Sequence, residues 1–326
     1  PNTINSVVLA DQMRQCLVNQ GTYLSPERSD LLQQVVGEGG DATGYIYGGL
    51  TAAVGIRAAL EACGRLLSDF SNILDFGCGS GRILRWFNDR ADDASLVGID
   101  INAAAIDWCQ ENIPFADFRT GPPLPPLPFP DDAFDLIYGI SVFTHLDQDY
   151  ETAWMKELRR IARPGALVLL SFHGVDTANR NLSRIDYLRY RALGFIFKRA
   201  SGASVDGLPD FYQMAFHTNR YISRKWSQEF RILGRFEHGP MFEQQLMVLG
   251  DRASQFPEQD GQPSTRIEAM PIASIDAPKV GTSVDRSVAI HGWAFRFGGD
   301  LSGVDIWIDG VRVESCAVAT DREDVR

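Results

Sequence analysis

The chain has 326 residues, 44% of them hydrophobic, and a formal net charge of −11. This composition is typical of a globular protein long enough for two domains, and it excludes a disordered chain. The acidic balance leaves no overall basic surface, so we expect no nucleic-acid partner. Five scattered cysteines without a C-x-x-C pair favour neither a zinc site nor a disulfide framework. No apolar run approaches the ~20 residues of a membrane helix, and we expect a cytoplasmic protein without a bound metal.

The region before the first strand, residues 1–70, is predicted to be a helical cap. Within it, segment 44–49 is predicted to be a loop, and a helix over 51–67 leads into the first strand. Tyr45 and Tyr47 lie in that loop and are candidates for a lid or a ligand contact. The alternative is that their rings simply pack against the core.

The most informative stretch runs over residues 73–87. An apolar strand ends at Asp75, and Gly77, Gly79 and Gly81 follow at every second position before an amphipathic helix begins. Glycines permit a tight turn and let a ligand lie against the backbone. The spacing is D-x-G-x-G-x-G, which differs from the G-x-G-x-x-G of dinucleotide binders. A nicotinamide-dependent dehydrogenase is therefore disfavoured.

A second acid supports a nucleoside site after this turn. Asp100 ends the next apolar strand, 96–100, and lies 19 residues after Gly81. An acid at the end of the second strand can accept hydrogen bonds from two ribose hydroxyls.

Strands and helices continue to alternate along the chain, which predicts a doubly wound α/β fold. The predicted elements are a helix at 103–112, strands at 115–118 and 134–138, a helix at 150–162, and strands at 166–172, 230–236 and 244–250. Segment 121–130 contains six prolines. It is predicted to be a stiff connection between strands, although a polyproline ligand for another domain is the alternative.

On these residues, segment 73–172 resembles the class I S-adenosylmethionine (SAM)-dependent methyltransferases. The resemblance rests on the two acids, the glycine turn, and three later segments, 134–138, 141–146 and 158–166. It implies a Rossmann-like seven-stranded sheet whose last strand is antiparallel. It also implies SAM as the cofactor and S-adenosylhomocysteine as the product.

The resemblance also implies how the cofactor is held. The glycine turn would hold the methionine part of SAM, Asp100 the ribose, and Asp117 with Phe118 the adenine. A buried strand edge is the alternative role for Asp117. The full predicted cofactor set is Asp75, Gly77, Cys78, Gly79, Gly81, Arg82, Asp100, Ile101, Asp117, Phe118 and Ser141.

Two histidines follow strand ends at which ligands bind in open α/β sheets. His145 comes after the fourth predicted strand and His173 after the fifth, so either is a candidate general base for an oxygen acceptor. A structural histidine bonded to a loop is the alternative for both. Asp147 and Asp149 next to His145 suggest a metal cluster, but acids at a helix N-terminus explain them as well.

Segment 174–220 is a predicted insert in which arginines and lysine alternate with large apolar residues. Arg184, Tyr187 and His217 are its candidates for substrate or lid contacts. A basic amphipathic stretch could recognise an anionic acceptor or a membrane surface. A solvated face that packs its apolar side on the core is the alternative.

The methyltransferase-like region is predicted to span 71–252 and to be followed by a linker at 253–275. Segment 276–326 alternates in the β manner, with a hairpin turn at Asp309-Gly310. It resembles the start of an immunoglobulin-like β module that accompanies bacterial glycan-modifying enzymes. Because ~100 residues are needed for a full sandwich, the chain is expected to be part of a longer protein, and the exposed strand edge could mediate self-association.

The function predicted from these patterns is SAM-dependent O-methylation of a carbohydrate or glycan-related acceptor. The carbohydrate part rests on the C-terminal resemblance. A lipid-linked or small-metabolite acceptor, or a SAM-binding module without catalysis, are the alternatives.

Overall fold

The computed structural model describes residue 31, residues 42–199, 213–236 and 244–251, and the backbone of four strands between 272 and 316. Residues 1–30 and 32–41 of the predicted helical cap, the side chain of Tyr47, and residues 253–271 of the predicted linker lie outside the described residues. The predicted domain boundaries remain predictions.

Helices and strands alternate along the described chain. In chain order they are α1 (Ala42–Ala62), β1 (Asn72–Phe76), β2 (Ser95–Asp100), α2 (Ala103–Asn112), β3 (Asp117–Thr120), β4 (Phe134–Gly139), α3 (Gln148–Ile161), β5 (Ala162–Phe172), α4 (Val175–Asn181), α5 (Arg184–Leu193), β6 (Phe195–Lys198), β7 (Met214–His217), α6 (Asn219–Lys225), β8 (Arg231–Phe236), β9 (Gln245–Gly250), β10 (Ile272–Ala277), β11 (His291–Phe295), β12 (Val304–Ile308) and β13 (Val311–Cys316).

A seven-stranded sheet in the order β3-β2-β1-β4-β5-β9-β8 forms the centre of the fold. Strands β1 to β5 run parallel, and β9 pairs antiparallel with both β5 and β8. The mixed sheet confirms the predicted Rossmann-like α/β fold. It also brings the carboxyl ends of β1, β2, β4 and β5 to one edge, where ligands bind in such sheets.

Both faces of the sheet are covered, which explains the continuous apolar runs of its strands. Neighbouring residues of one strand point to opposite faces: Ile73 packs with helices α1 and α2, whereas Leu74 packs with α3 and Trp226. Helix α3 begins where Asp147 accepts hydrogen bonds from the backbone N–H groups of Asp149 and Tyr150. The acidic residues after His145 therefore cap a helix.

Three local predictions differ from the structure. Segment 44–49 is part of helix α1, and Tyr45 is fully buried, so the predicted exposed loop is wrong. The third strand begins at Asp117, two residues later than predicted. After the glycine turn, residues Leu84–Arg90 form a 3-10 helix with a non-helical Phe87, because this segment packs tightly against helix α1.

The predicted insert contains helices α4 and α5 and the antiparallel pair β6–β7. Near the C-terminus, β10 pairs antiparallel with β11, and β12 pairs antiparallel with β13, where Ile308 lies opposite Val311. The second pair matches the strands of the predicted hairpin, whose turn residues Asp309 and Gly310 lie outside the described residues. The immunoglobulin-like assignment stays a prediction. Within the described residues, no helix has the length and apolarity needed to span a membrane.

Candidate active site

A cavity of about 380 Å³ opens at the carboxyl edge of the sheet, within the size range of small-molecule sites. It joins the glycine turn after β1 to the ends of β4 and β5. Of the predicted site residues, it is lined by Asp75, Gly77, Cys78, Gly79, Arg82, Asp100, Ile101, Ser141, His145 and His173. The fold thus brings most of the predicted cofactor residues and both candidate bases to one space.

Asp75 lies at the cavity end of β1, and its carboxyl group is buried and only partly satisfied by hydrogen bonds. Among the described residues, its Oδ2 atom is buried and has no hydrogen-bond partner. Burial raises the pKa of this carboxyl to about 8. A buried acceptor of this kind is expected to receive a donor from a bound ligand. The cationic amino group of a SAM methionine moiety has the right chemistry.

Gly79 presents bare backbone to the cavity. Its φ is +52°, a left-handed conformation that favours glycine, and among the described residues no atom lies within 4 Å of the position a Cβ would take. A side chain there would therefore project into open space next to the ligand. The turn is suited to a ligand that lies directly on the main chain.

Asp100 is oriented by the backbone at the end of β2. Its Oδ2 accepts from Gly79 N–H at 2.7 Å, and its Oδ1 accepts from Asn102 N–H at 2.8 Å. A carboxylate offers about four lone-pair sites, so the Asp100 carboxylate can still accept from a ligand. Two neighbouring ribose hydroxyls fit this remaining capacity. Burial raises the pKa of the Asp100 carboxyl, although hydrogen bonds from the backbone of Asn102, Gly79 and Ile101 oppose that effect.

Arg82 supplies positive charge beside the glycine turn. Its Nη1 lies so close to helix α1 that a Cβ on Gly48 would be 3.0 Å away. Burial lowers the pKa of this guanidinium, and the Tyr45 and Asp75 side chains raise it in turn. A ligand carboxylate, such as that of methionine, would compensate the buried charge. The donors and acceptors around the turn therefore fit SAM.

Tyr45 contacts the glycine turn through its hydroxyl group. Its hydroxyl donates to the carbonyl oxygen of Ser80 at 2.8 Å and lies 3.1 Å from Ser80 Oγ. The ring is fully buried, with the Arg85 guanidinium above it at 5.3 Å. These contacts give Tyr45 a packing role within helix α1, in place of the predicted lid contact.

His145 and His173 face each other at the other end of the cavity, with ring centroids 6.4 Å apart. Nδ1 of His145 lies 2.8 Å from the carbonyl oxygen of Gln213, and Nδ1 of His173 lies 3.2 Å from that of Ala215. Burial lowers the pKa of His145 to about 4 and that of His173 to about 3. Both imidazoles are therefore neutral at neutral pH.

Ser141 belongs to a hydrogen-bond network that sequence reasoning found only in part. The Ser141 N–H donates to Ser171 Oγ at 2.7 Å, Ser171 Oγ donates to Gln244 Oε1 at 2.6 Å, and Gln244 Nε2 donates to Ser141 Oγ at 2.8 Å. The φ of Ser141 is +65°. This network stabilises an uncommon backbone conformation at the cavity wall. Gln244 lies 103 residues from Ser141, and no local motif indicated it.

The adenine contacts predicted for the third strand do not match the described cavity lining. Asp117 is exposed and pairs with Arg119 through a 2.8 Å hydrogen bond. Phe118 is buried behind the glycine turn, where its ring would meet a Cβ on Gly98 at 2.6 Å. In the described chain, the residues that reach the cavity from this side are Gly121, Pro122, Pro123 and Leu127. The proline-rich connection thus lines the site.

The remaining candidates lie away from the described lining. His217 is fully buried, and its Nε2 is 2.7 Å from Glu151 Oε2. Gly81 packs beneath the turn, where a Cβ would be 2.5 Å from Ile113 Cδ1. Arg184 is exposed at the start of helix α5. Tyr187 packs on Tyr190 at 5.8 Å between ring centroids. Their placement gives the four residues structural or surface roles.

Residues 73–165 match the family model described as a methyltransferase domain. An uncharacterized methyltransferase of Schizosaccharomyces pombe is 31% identical over 107 residues, which cover 29% of this chain and 37% of that protein. A phthiotriol/phenolphthiotriol dimycocerosates methyltransferase of Mycobacterium ulcerans is 31% identical over 99 residues, which cover 30% and 35%. A fatty-acid O-methyltransferase of Mycolicibacterium smegmatis is 27% identical over 144 residues, which cover 42% and 52%.

The chain thus spans between about a third and a half of the length of these relatives. The matched segment contains the glycine turn, Asp100 and His145. Residues 73–165 are therefore similar to a methyltransferase domain, and the sheet order and the cavity are consistent with that similarity.

Proposed function

We propose that the chain catalyses SAM-dependent methyl transfer to an oxygen atom of a small acceptor. The observation that carries the proposal is one continuous cavity. At one end Asp75, Gly79 and Asp100 offer the partners that SAM requires, and at the other end His145 and His173 offer basic nitrogens. A cofactor and an acceptor bound in the same cavity can be aligned for direct transfer.

When bound, SAM supplies a methyl group on a sulfonium, and the electron pair of the broken carbon–sulfur bond remains on the sulfur of S-adenosylhomocysteine. The chain's residues position the reactants. Asp100 binds and orients the ribose, and the glycine turn fixes the methionine part. Phe76, Val142 and Trp154 line the cavity with apolar surface that excludes water. A neutral histidine can receive the proton that a protic acceptor loses.

The cavity favours an acceptor with substantial apolar surface. Many of the described lining side chains are apolar, among them Phe76, Ile140, Val142, Leu146, Trp154 and Met214. The named relatives act on phthiotriol dimycocerosates and fatty acids, which is consistent with a lipid-like or small-metabolite acceptor. The carbohydrate acceptor rests on segment 276–326 alone and remains a less supported proposal.

Calorimetric titration with S-adenosylhomocysteine tests the cofactor site. We expect micromolar binding, and Asp100→Asn should weaken it roughly tenfold or more, which is about 1.4 kcal/mol. Asp107→Asn, on the exposed face of α2, is the matched control and should bind normally. NADH should not compete.

A folded protein that does not bind S-adenosylhomocysteine would refute the proposal. Binding without methyl transfer to any acceptor would instead support the SAM-binding module without catalysis.

A further inference from the structure

We propose that the acceptor is an alcohol or a phenol whose O–H donates to Nε2 of His173, and that the site discriminates against carboxylate acceptors. This inference rests on the proposed methyl transfer and names the acceptor's reacting group. It follows from the hydrogen bonds that hold the two cavity histidines and from the charges of the cavity lining.

The tautomer of His173 is determined by its partner. A carbonyl oxygen can only accept, so the hydrogen bond between Nδ1 and the Ala215 carbonyl places the ring proton on Nδ1. Nε2 then carries a lone pair. His173 lines the cavity, and within the described chain its Nε2 has no hydrogen-bond partner. The contact between His145 Nδ1 and the Gln213 carbonyl gives His145 the same tautomer.

The backbone around β7 fixes both carbonyl groups. Gln213 and Ala215 are two residues apart on an extended segment, so their carbonyls point to the same side. Ala215 N–H donates to the Thr144 carbonyl at 2.7 Å, and His217 N–H donates to the His173 carbonyl at 2.9 Å. The segment is thereby attached to both histidine-bearing loops. A shift of the ring proton from Nδ1 to Nε2 would leave the Gln213 or the Ala215 carbonyl without its donor.

These nitrogens select the kind of group that can bind beside them. An unprotonated Nε2 accepts a hydrogen bond, so it favours a ligand with an O–H donor. A carboxylate oxygen has only lone pairs to offer, and it would face the His173 lone pair without a proton between them. The imidazolium form, which could donate to a carboxylate, is disfavoured because burial lowers the pKa of both rings.

The positive charges of the described lining support the same selection. Arg82 is the one lysine or arginine among the described lining residues, and it lies beside Asp75 and Gly48 at the glycine turn. The carboxylate of a methionine moiety bound at the turn would pair with the Arg82 guanidinium. An acceptor carboxylate beside His173 would then be buried without a cationic side chain, which is unfavourable because an unpaired buried charge loses its solvation.

The proton and the bonds balance for a hydroxyl acceptor. Its oxygen would form the new bond to the methyl carbon as the carbon–sulfur bond of the methyl donor breaks and its electron pair stays on sulfur. The O–H bond would break, and the proton would move to Nε2 of His173, which becomes imidazolium. The oxygen becomes strongly acidic as the carbon–oxygen bond forms, so a nitrogen of low basicity suffices. The imidazolium returns its proton to water after the product leaves.

Nitrogen NMR of the histidine rings tests the geometric part without the cofactor. In ¹⁵N-labelled protein at neutral pH, His173 should show a protonated Nδ1 and an unprotonated Nε2, with His173→Gln identifying its signals. Addition of phenol should shift the Nε2 signal, and benzoate should not. A protonated Nε2, as the other tautomer or as imidazolium, would overturn the proposal.

Methyl transfer to matched pairs tests the selection itself, with 1-octanol against octanoate and phenol against benzoate as probes. We expect each alcohol to be preferred by roughly tenfold or more. His173→Ala should reduce transfer to the alcohols by about a hundredfold, as loss of a general base does, while S-adenosylhomocysteine binding stays unchanged. Tyr187→Phe, outside the cavity, is the control and should transfer normally.

A preference for either carboxylate, or no transfer to the alcohols by protein that binds S-adenosylhomocysteine, would contradict the proposal. Failure to bind S-adenosylhomocysteine would instead refute the proposed methyltransferase activity. The NMR result would still decide the tautomer in that case.

Discussion

Glu151 and His217 form a fully buried hydrogen bond, with Glu151 Oε2 2.7 Å from His217 Nε2. The other carboxyl oxygen of Glu151 accepts from Trp226 Nε1 at 3.0 Å. The Glu151 side chain on helix α3 thus connects strand β7 to Trp226 at the end of helix α6. The carbonyl groups that hold the cavity histidines belong to Gln213 and Ala215, at and next to β7. These contacts stabilise the position of β7 next to the cavity.

Removal of the Glu151 carboxyl should therefore destabilise the protein. Glu151→Ala leaves buried nitrogens on His217 and Trp226 without their acceptor, and we expect a loss of about 3–5 kcal/mol in the free energy of unfolding. Urea denaturation measures this loss. Lys156→Ala, exposed on the same helix, should change the free energy by less than about 0.5 kcal/mol. Equal stability of both variants would refute the structural role.

Two adjacent glycines of helix α1 should respond differently to alanine. A Cβ on Gly49 would overlap the carbonyl oxygen of Arg82, whereas a Cβ on Gly48 would meet only the flexible end of the Arg82 side chain at 3.0 Å. Alanine itself favours a helix over glycine by about 1 kcal/mol. We expect Gly49→Ala to lower the melting temperature and Gly48→Ala to leave it equal or higher. The reverse order in thermal unfolding would show that α1 packs differently on the turn.

Stability of the cofactor-free protein should depend on the ionisation of Asp75. Burial raises the pKa of its carboxyl to about 8, whereas an unfolded aspartate titrates near ~3.9. Between these values the folded state keeps a proton that the unfolded chain releases, so this contribution to the free energy of unfolding falls as pH rises.

Asp75→Asn cannot titrate and should lack this dependence. Urea denaturation of both proteins at several pH values gives the difference in their free energies of unfolding. We expect wild type to lose stability relative to the variant between about pH 4 and pH 8. His145 and His173 titrate in both proteins, so their contributions cancel in the difference. A difference that does not vary with pH would contradict the buried acid.

Asp117 provides a test of the site boundaries. Because its carboxylate is exposed and paired with Arg119, we expect Asp117→Ala to change S-adenosylhomocysteine affinity by less than about twofold, or roughly 0.4 kcal/mol. Titration beside Asp100→Asn measures both effects under the same conditions. Comparable weakening by the two variants would restore Asp117 to the cofactor site.

The order of strands and turns can be predicted from the sequence because residues close in sequence constrain one another's backbone conformation. Asp75, Gly79 and Asp100 end or follow parallel strands, and the carboxyl ends of such strands meet at one edge. The strands of the sheet can likewise be predicted, because each is an apolar segment that alternates with a helical segment. Tyr45 lies in helix α1 and not in a loop, and its hydrogen bond to Ser80, 35 residues away, is a contact that local polarity does not reveal.

By itself, the sequence determined the strand–turn–helix order, the glycine turn and the acid that follows the second strand. Each depends on periodicity or on backbone conformations available to glycine. Only the tertiary structure decided which carbonyl groups hold the two cavity histidines and how their rings are protonated. His145 depends on a carbonyl 68 residues away and Ser141 on a glutamine 103 residues away. Such contacts exist only after the chain has packed, because no local pattern specifies the partner of a buried polar group.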